Sequence, residues 1–208
     1  MRFDPIPWPV LLALLVWSCV GRAFAEVPPD LLAALRQGGF VIYFRHAATD
    51  WDQQDRERSL MDVASCDPNR MRQLSDSGRE TARRIGMRIR GLGIPVDSVV
   101  ASEYCRTVET ANLLDLGPVT TSRDVINERV AERVGGRDHL RDAVRKRLAT
   151  IPRPGFNSVI VAHGNVFLLA AGTRPPEAGA AIVRPLPGGR FDVVAMFAPD
   201  DWDKLRER

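Results

Sequence analysis

The chain predicts a three-layer α/β/α sandwich with a mostly parallel central sheet and a C-terminal β-hairpin. Three observations carry this. Short runs rich in Val, Ile and Phe read as strands covered on both faces. Helical stretches separate them, which is the alternation of a parallel sheet flanked by helices. Two last strand-like runs enclose Pro187-Gly188-Gly189, which is hairpin chemistry.

The elements follow in order. Asp30 to Gln37 reads as a short helix, preceded by Pro28-Pro29 and ended by Gly38-Gly39. Phe40 to Phe44 is the first strand. The polar stretch from Ala47 to Ser75 is too long for a simple turn, and such loops are usually functional or disordered. Ser75 or Ser77 caps a helix over about Gly78 to Gly91, with Ala82, Ile85, Met87 and Ile89 as its apolar residues. Val96 to Ala101 is the second strand. A helix after Ser102 runs to about Leu116, with Val108, Ala111, Leu113 and Leu114 inward. Val119 to Thr121 reads as a short strand, and Asp124 to Gly136 has no clear pattern. Arg137 to Thr150 is an amphipathic helix stopped by Pro152 and Pro154. Val159 to Ala162 is a strand and Val166 to Ala171 a buried helix. Ala180 to Arg184 and Phe191 to Phe197 form the hairpin.

Residues 1–25 read as a signal peptide and residues 26–208 as one catalytic-type domain. Arg2 starts the segment, Val10 to Val20 is its apolar core, and Ala23-Phe24-Ala25 is a small-x-small cleavage site. A core this short suits a signal better than a membrane span of about 20 residues. The expected location is periplasmic or secreted, with no stable membrane insertion after cleavage. Cys66 and Cys105 would then be the cysteines left in an oxidising compartment, and they are expected to pair.

Of 208 residues, 26% are charged and 45% hydrophobic, ordinary values for a globular protein. The net charge of +3 and the lack of basic runs interleaved with aromatics exclude a nucleic-acid reading. Oligomeric state has no signal in the sequence.

Two of the three histidines stand just past strand-like runs, His46 after Arg45 at the end of Phe40 to Phe44 and His163 after Ala162. Ligands of open α/β sheets bind beyond the carboxyl ends of the strands. Arg45, His46, Arg106 and His163 therefore converge on one rim and make a cationic pocket. Its natural guest is an oxyanion with several acceptors, and phosphate fits best, because guanidinium groups bind it bidentately and keep their charge. A neutral imidazole is also a nucleophile toward phosphorus. His139, on a charged helical face, reads as solvated surface.

These residues lie in recognisable motifs. Arg45-His46-Ala47-Ala48-Thr49 resembles the opening motif of the histidine phosphatase superfamily, the phosphoglycerate-mutase-like clan, in its first branch. Ser102 to Ala111, with Arg106 ahead of Thr110-Ala111, resembles its second signature, and His163-Gly164 its third. The resemblance covers Phe40 to Phe197. It implies that His46 is the nucleophile, that Arg45, Arg106 and His163 bind the phosphoryl group, and that no metal or other cofactor is needed. It places a proton-donating glutamate at Glu128, with Glu177 as second candidate. Two positions depart from the family pattern: Asp52 stands where many members carry a phosphate-binding Asn, and Ala47 replaces the commoner glycine.

The leading reading is an exported phosphomonoesterase acting through a phosphohistidine on His46. The partner is a phosphorylated small molecule, a sugar phosphate being one candidate. Two rivals stay open, a phosphomutase and a non-catalytic phospho-ligand binding module on the same fold. A metal site on His46 and His163 with Asp50 or Asp52 is disfavoured by the flanking arginines.

Overall fold

The structure of the protein is a computed structural model that describes residues 30–206. The expected signal segment, residues 1–25, lies outside the described residues. No helix among the described residues is long and apolar enough to cross a membrane.

The order is α1 (Leu31–Gln37), β1 (Val41–Arg45), α2 (Asp76–Gly91), β2 (Val96–Ala101), α3 (Cys105–Leu114), β3 (Val119–Thr121), α4 (Arg137–Leu148), β4 (Asn157–Ala162), α5 (Gly164–Ala171), β5 (Ala180–Leu186), β6 (Arg190–Phe197) and α6 (Asp201–Lys204). The stretch from 123 to 134, which has no periodicity, folds as two 3-10 segments, Arg123–Val125 and Glu128–Val134. The six strands form one sheet in the order β3-β2-β4-β1-β5-β6. β1, β2, β3 and β4 are parallel, β5 runs antiparallel to β1, and β6 reverses again to pair antiparallel with β5 in the hairpin.

Two apolar layers enclose the sheet, one per face. The first gathers Ile42, Phe44 and Val161 with α1, α2 and α3. The second gathers Val41, Tyr43 and Ile160 with α4 and α5. The alternation of Val41 through Phe44 between the two layers is the period of a strand. α6, which the sequence reading did not foresee, buries Trp202 against Phe44 and Phe197, with ring centroids 5.8 and 4.8 Å away.

The cap of α2 is Ser75, whose hydroxyl accepts from the Gly78 N–H at 3.1 Å. Its stripe is narrower than expected: Ala82, Ile85 and Ile89 are buried, but Met87 is on the exposed face. A Cβ on Gly78 would sit 2.1 Å from the Ala48 carbonyl oxygen, so only glycine lets α2 meet the segment after His46.

Candidate active site

The register of the central strands positions the two histidines. β1 and β4 are parallel with Arg45 opposite Ala162, so the next residues, His46 and His163, leave the same sheet edge side by side. Their rings meet edge to face, 5.5 Å between centroids. Both residues are buried, and both line a small cavity with Arg45 and Arg106.

His46 is fixed at both backbone and ring. Its N–H donates to Ala162 O at 2.9 Å, and its carbonyl accepts from Ala178 N–H at 3.0 Å. Nδ1 lies 2.9 Å from the Ala47 carbonyl, which can only accept. The proton therefore resides on Nδ1, and the Nε2 lone pair is left free. Burial, and after it the Arg106 charge, hold the imidazole well below the ordinary histidine range. The ring is neutral at pH 7.

His163 caps the start of α5. Tyr43 clamps its backbone: the phenol donates to His163 O at 2.8 Å and accepts from His163 N–H at 3.2 Å. Nε2 lies 2.9 Å from the Ser102 hydroxyl. Nδ1 is buried and has no partner among the described residues. With Ser102 donating to Nε2, Nδ1–H becomes a donor available to an oxyanion. Burial and then Arg106 lower this ring's basicity as well.

Arg106 is 1% exposed, and its neighbours hold it from both ends. Tyr104 lies under the guanidinium, 4.5 Å from ring centre to Cζ. The Thr110 hydroxyl donates to Arg106 O at 2.7 Å and accepts from Ala47 N–H at 3.1 Å, so α3 is tied to the residue after the nucleophile candidate. The fork of Arg106 is taken by Asp55: Nη1 and Nη2 donate to Oδ1 and Oδ2 at 2.9 and 3.1 Å. Arg45 donates to Glu177 at 3.1 Å. Gly164 makes room for this arginine, because a Cβ there would stand 3.0 Å from Arg45 Cδ.

The structure thus brings Arg45, His46, Arg106 and His163 to one cavity. Glu128 is a correction. It follows Asn127, which caps the 3-10 segment, and its carboxylate pairs with Arg137 at 2.5 Å instead of reaching the cavity. Its neighbours Asn127 and Arg129 line the cavity on either side of it in the chain. Glu177 contacts the site through Arg45. Asp52 is exposed and does not line the cavity.

Five lining residues escaped the sequence reading: Asp55, Arg72, Asn127, Arg129 and Arg174. They come from loops or helix ends without periodicity. The loop from Ala47 to Ser75 supplies Asp55 and Arg72, and it is tied to the site by a disulfide between Cys66 and Cys105, with Cα atoms 5.4 Å apart. Trp51, from the same loop, stacks on Arg72 at 4.1 Å.

The sequence profile of the histidine phosphatase superfamily (branch 1) matches residues 41–150, more than half of the chain. The chain belongs to this superfamily, in its first branch. The solved structures agree with the histidine phosphatase fold. A protein assigned as the phosphohistidine phosphatase SixA from Agrobacterium tumefaciens superposes with a TM-score of 0.52 at 15% identity, covering 77% of this chain and 99% of that one. A protein assigned as an alpha-ribazole-5'-P phosphatase from Escherichia coli K-12 gives 0.54 at 15% identity, over 78% and 98%. The protein histidine phosphatase SixA complexed with tungstate gives 0.51 at 15% identity, over 78% and 98%. Identities this low speak for the shared fold alone. A search of curated proteins found no match.

Proposed function

We propose that this histidine phosphatase superfamily member is an exported, metal-independent phosphoric monoester hydrolase that works through a phosphohistidine on His46. The observation that carries the reading is the fixed tautomer of His46. Its Nδ1–H is held by the Ala47 carbonyl, so the Nε2 lone pair stays free inside an arginine-lined cavity. Nucleophilic attack needs that lone pair, and neighbouring cations favour the neutral ring that has it.

In the first step Nε2 attacks phosphorus. The P–N bond forms, the ester P–O bond breaks, and its electron pair leaves on the alkoxide, which takes a proton from an acid. In the second step water attacks phosphorus, the P–N electrons return to Nε2, and phosphate departs with the oxygen of water. Arg45, Arg106 and the His163 Nδ1–H stabilise charge on the transferring group. The carboxylates that reach these arginines are Asp55 and Glu177. The signal-like segment supports a periplasmic or secreted location, and envelope sugar phosphates suit that compartment.

The test is phosphate release from a panel of phosphomonoesters by the purified protein in EDTA, with His46→Ala beside it. Release by the wild type alone, with an acid-labile and base-stable phosphoenzyme, is the expected result. Equal release by the variant defeats the nucleophile, and loss in EDTA defeats metal independence. Binding of phosphate without any release favours the binding module.

A further inference from the structure

The cavity holds more positive charge than one phosphate requires. Arg45, Arg72, Arg106, Arg129 and Arg174 all line it, each from a different segment of the chain. The carboxylates on these five cations are Asp55 and Glu177, and both histidine rings are neutral. Five minus two leaves an excess of +3. A phosphomonoester dianion compensates two charges and leaves a cation uncompensated.

The excess lies toward the mouth. Arg129 approaches Asp55 only at 4.0 Å, and its side chain is 64% exposed. Arg174 makes no hydrogen bond or ion pair among the described residues, and it is exposed. The stems of Arg174 and Arg45 run side by side, since a Cβ on Gly164 would lie 3.6 Å from one Cδ and 3.0 Å from the other. Burial and then the Arg106 charge work against the cation of Arg72, whose Nε is buried without a partner. A lone surface arginine is screened by water and salt and needs no partner. These arginines face one another across a concave site, where like charges cost free energy until an anion bridges them.

We propose that the substrate carries a second anionic group beside the scissile phosphate, bound at the cavity mouth by Arg129 and Arg174. The inference rests on the hydrolase reading for which phosphate is cleaved, but the charge excess is independent of turnover. It narrows the substrate class to bisphosphates or phosphates bearing a carboxylate, and the scissile group is the one that reaches His46. Each new charge-assisted contact adds roughly a factor of ten or more in affinity.

Binding of phosphonates, which cannot be hydrolysed, tests this apart from catalysis. Calorimetry on the whole protein would compare methylphosphonate with alkane bisphosphonates of one to four carbons and with phosphonocarboxylates of matching length. The expected result is one spacer length at which a doubly anionic probe binds about tenfold tighter or better than methylphosphonate. Arg129→Gln with Arg174→Gln should bring that ratio to within about threefold of unity, at sites exposed enough to leave folding intact. A gain with bisphosphonates alone assigns a second phosphate, and a gain with phosphonocarboxylates assigns a carboxylate. A ratio near one for every spacer in the wild type, or a ratio unchanged in the double variant, overturns the inference. Release of phosphate from p-nitrophenyl phosphate tests the hydrolase reading separately, so a failure of either is recognisable.

Discussion

The Asp55 carboxylate grips Arg106 through both of its oxygens, at 2.9 and 3.1 Å, with both side chains almost wholly buried. Arg106 is the arginine that the second motif assigns to phosphate. The protein therefore fills its own oxyanion fork with a carboxylate, and Asp55 comes from the loop that the Cys66–Cys105 bridge tethers next to Arg106. On the proposed hydrolase reading, an incoming phosphate must share or displace that contact.

Asp55→Asn should destabilise the free protein and tighten phosphate binding. Leaving a buried arginine without its counter-charge costs about 3 kcal/mol. For a domain of this size that lowers Tm by about 6–12 °C. Saturating phosphate should restore more Tm in the variant than in the wild type, because no carboxylate competes. Equal phosphate-induced shifts in the two proteins would show that Asp55 is no competitor.

The histidines set a pH dependence of stability. Both folded-state rings are lowered in basicity, so the unfolded chain takes up protons near pH 6.5 while the folded chain does not. The unfolded state then binds more protons, and stability rises with pH through this window. Stability is fully present above about pH 7.5 and falls below pH 6.5, by up to about 1.4 kcal/mol per pH unit for each ring. Urea titrations of the wild type and of His46→Ala between pH 7.5 and 5.5 measure this. The variant should show the shallower slope.

Glu128→Gln should change kcat less than about twofold, since surface pairs of this kind contribute little. Its carboxylate holds Arg137 and lies off the cavity. A loss of tenfold or more would return Glu128 to the site.

Gly164→Ala should raise KM several-fold with little change in Tm. The added methyl would stand 3.0 Å from Arg45 Cδ, and a displacement of tenths of an ångström at a phosphate-binding group is felt in catalysis. Alanine is otherwise the better helix residue, so stability does not fall. Steady-state kinetics with thermal denaturation separates the two effects.

Reduction of the Cys66–Cys105 bridge, or Cys66→Ser with Cys105→Ser, should lower Tm and raise KM together. The residues are 39 apart in sequence, and a crosslink over such a loop contributes about 4 kcal/mol in the chain-entropy account. An unchanged KM would separate the bridge from the position of the Asp55 loop.

Much of the site was legible because it lies in strands and in short motifs. Phe40 to Phe44 and Ser158 to Ala162 are apolar runs, and the residues that end them, His46 and His163, stand at a sheet edge whatever the loops do. Arg45 and Arg106 are adjacent to a strand end or set in a helix start, with fixed offsets from it. Asp55, Arg72, Arg129 and Arg174 carry no such offset. Each is one charged residue among many on a polar loop or helix end, and only the folded path says which of them turns inward. Glu128 illustrates the same limit. Asn127 and Arg129 face the cavity, and a rotation of one residue along a 3-10 segment sends Glu128 to Arg137.

The sequence by itself determined the layered sheet, the strand ends and the two histidines and two arginines gathered there, because hydrophobic periodicity and chain order are local properties. The tertiary structure decided the tautomer of His46, the clamp of Tyr43 on His163, the carboxylate on Arg106 and the surplus of arginines at the mouth. The tautomer rests on the Ala47 carbonyl, one residue away but aimed by the folded path of the chain, whereas the clamp and the carboxylate join residues 120 and 51 positions apart, which only packing of the whole chain brings within reach.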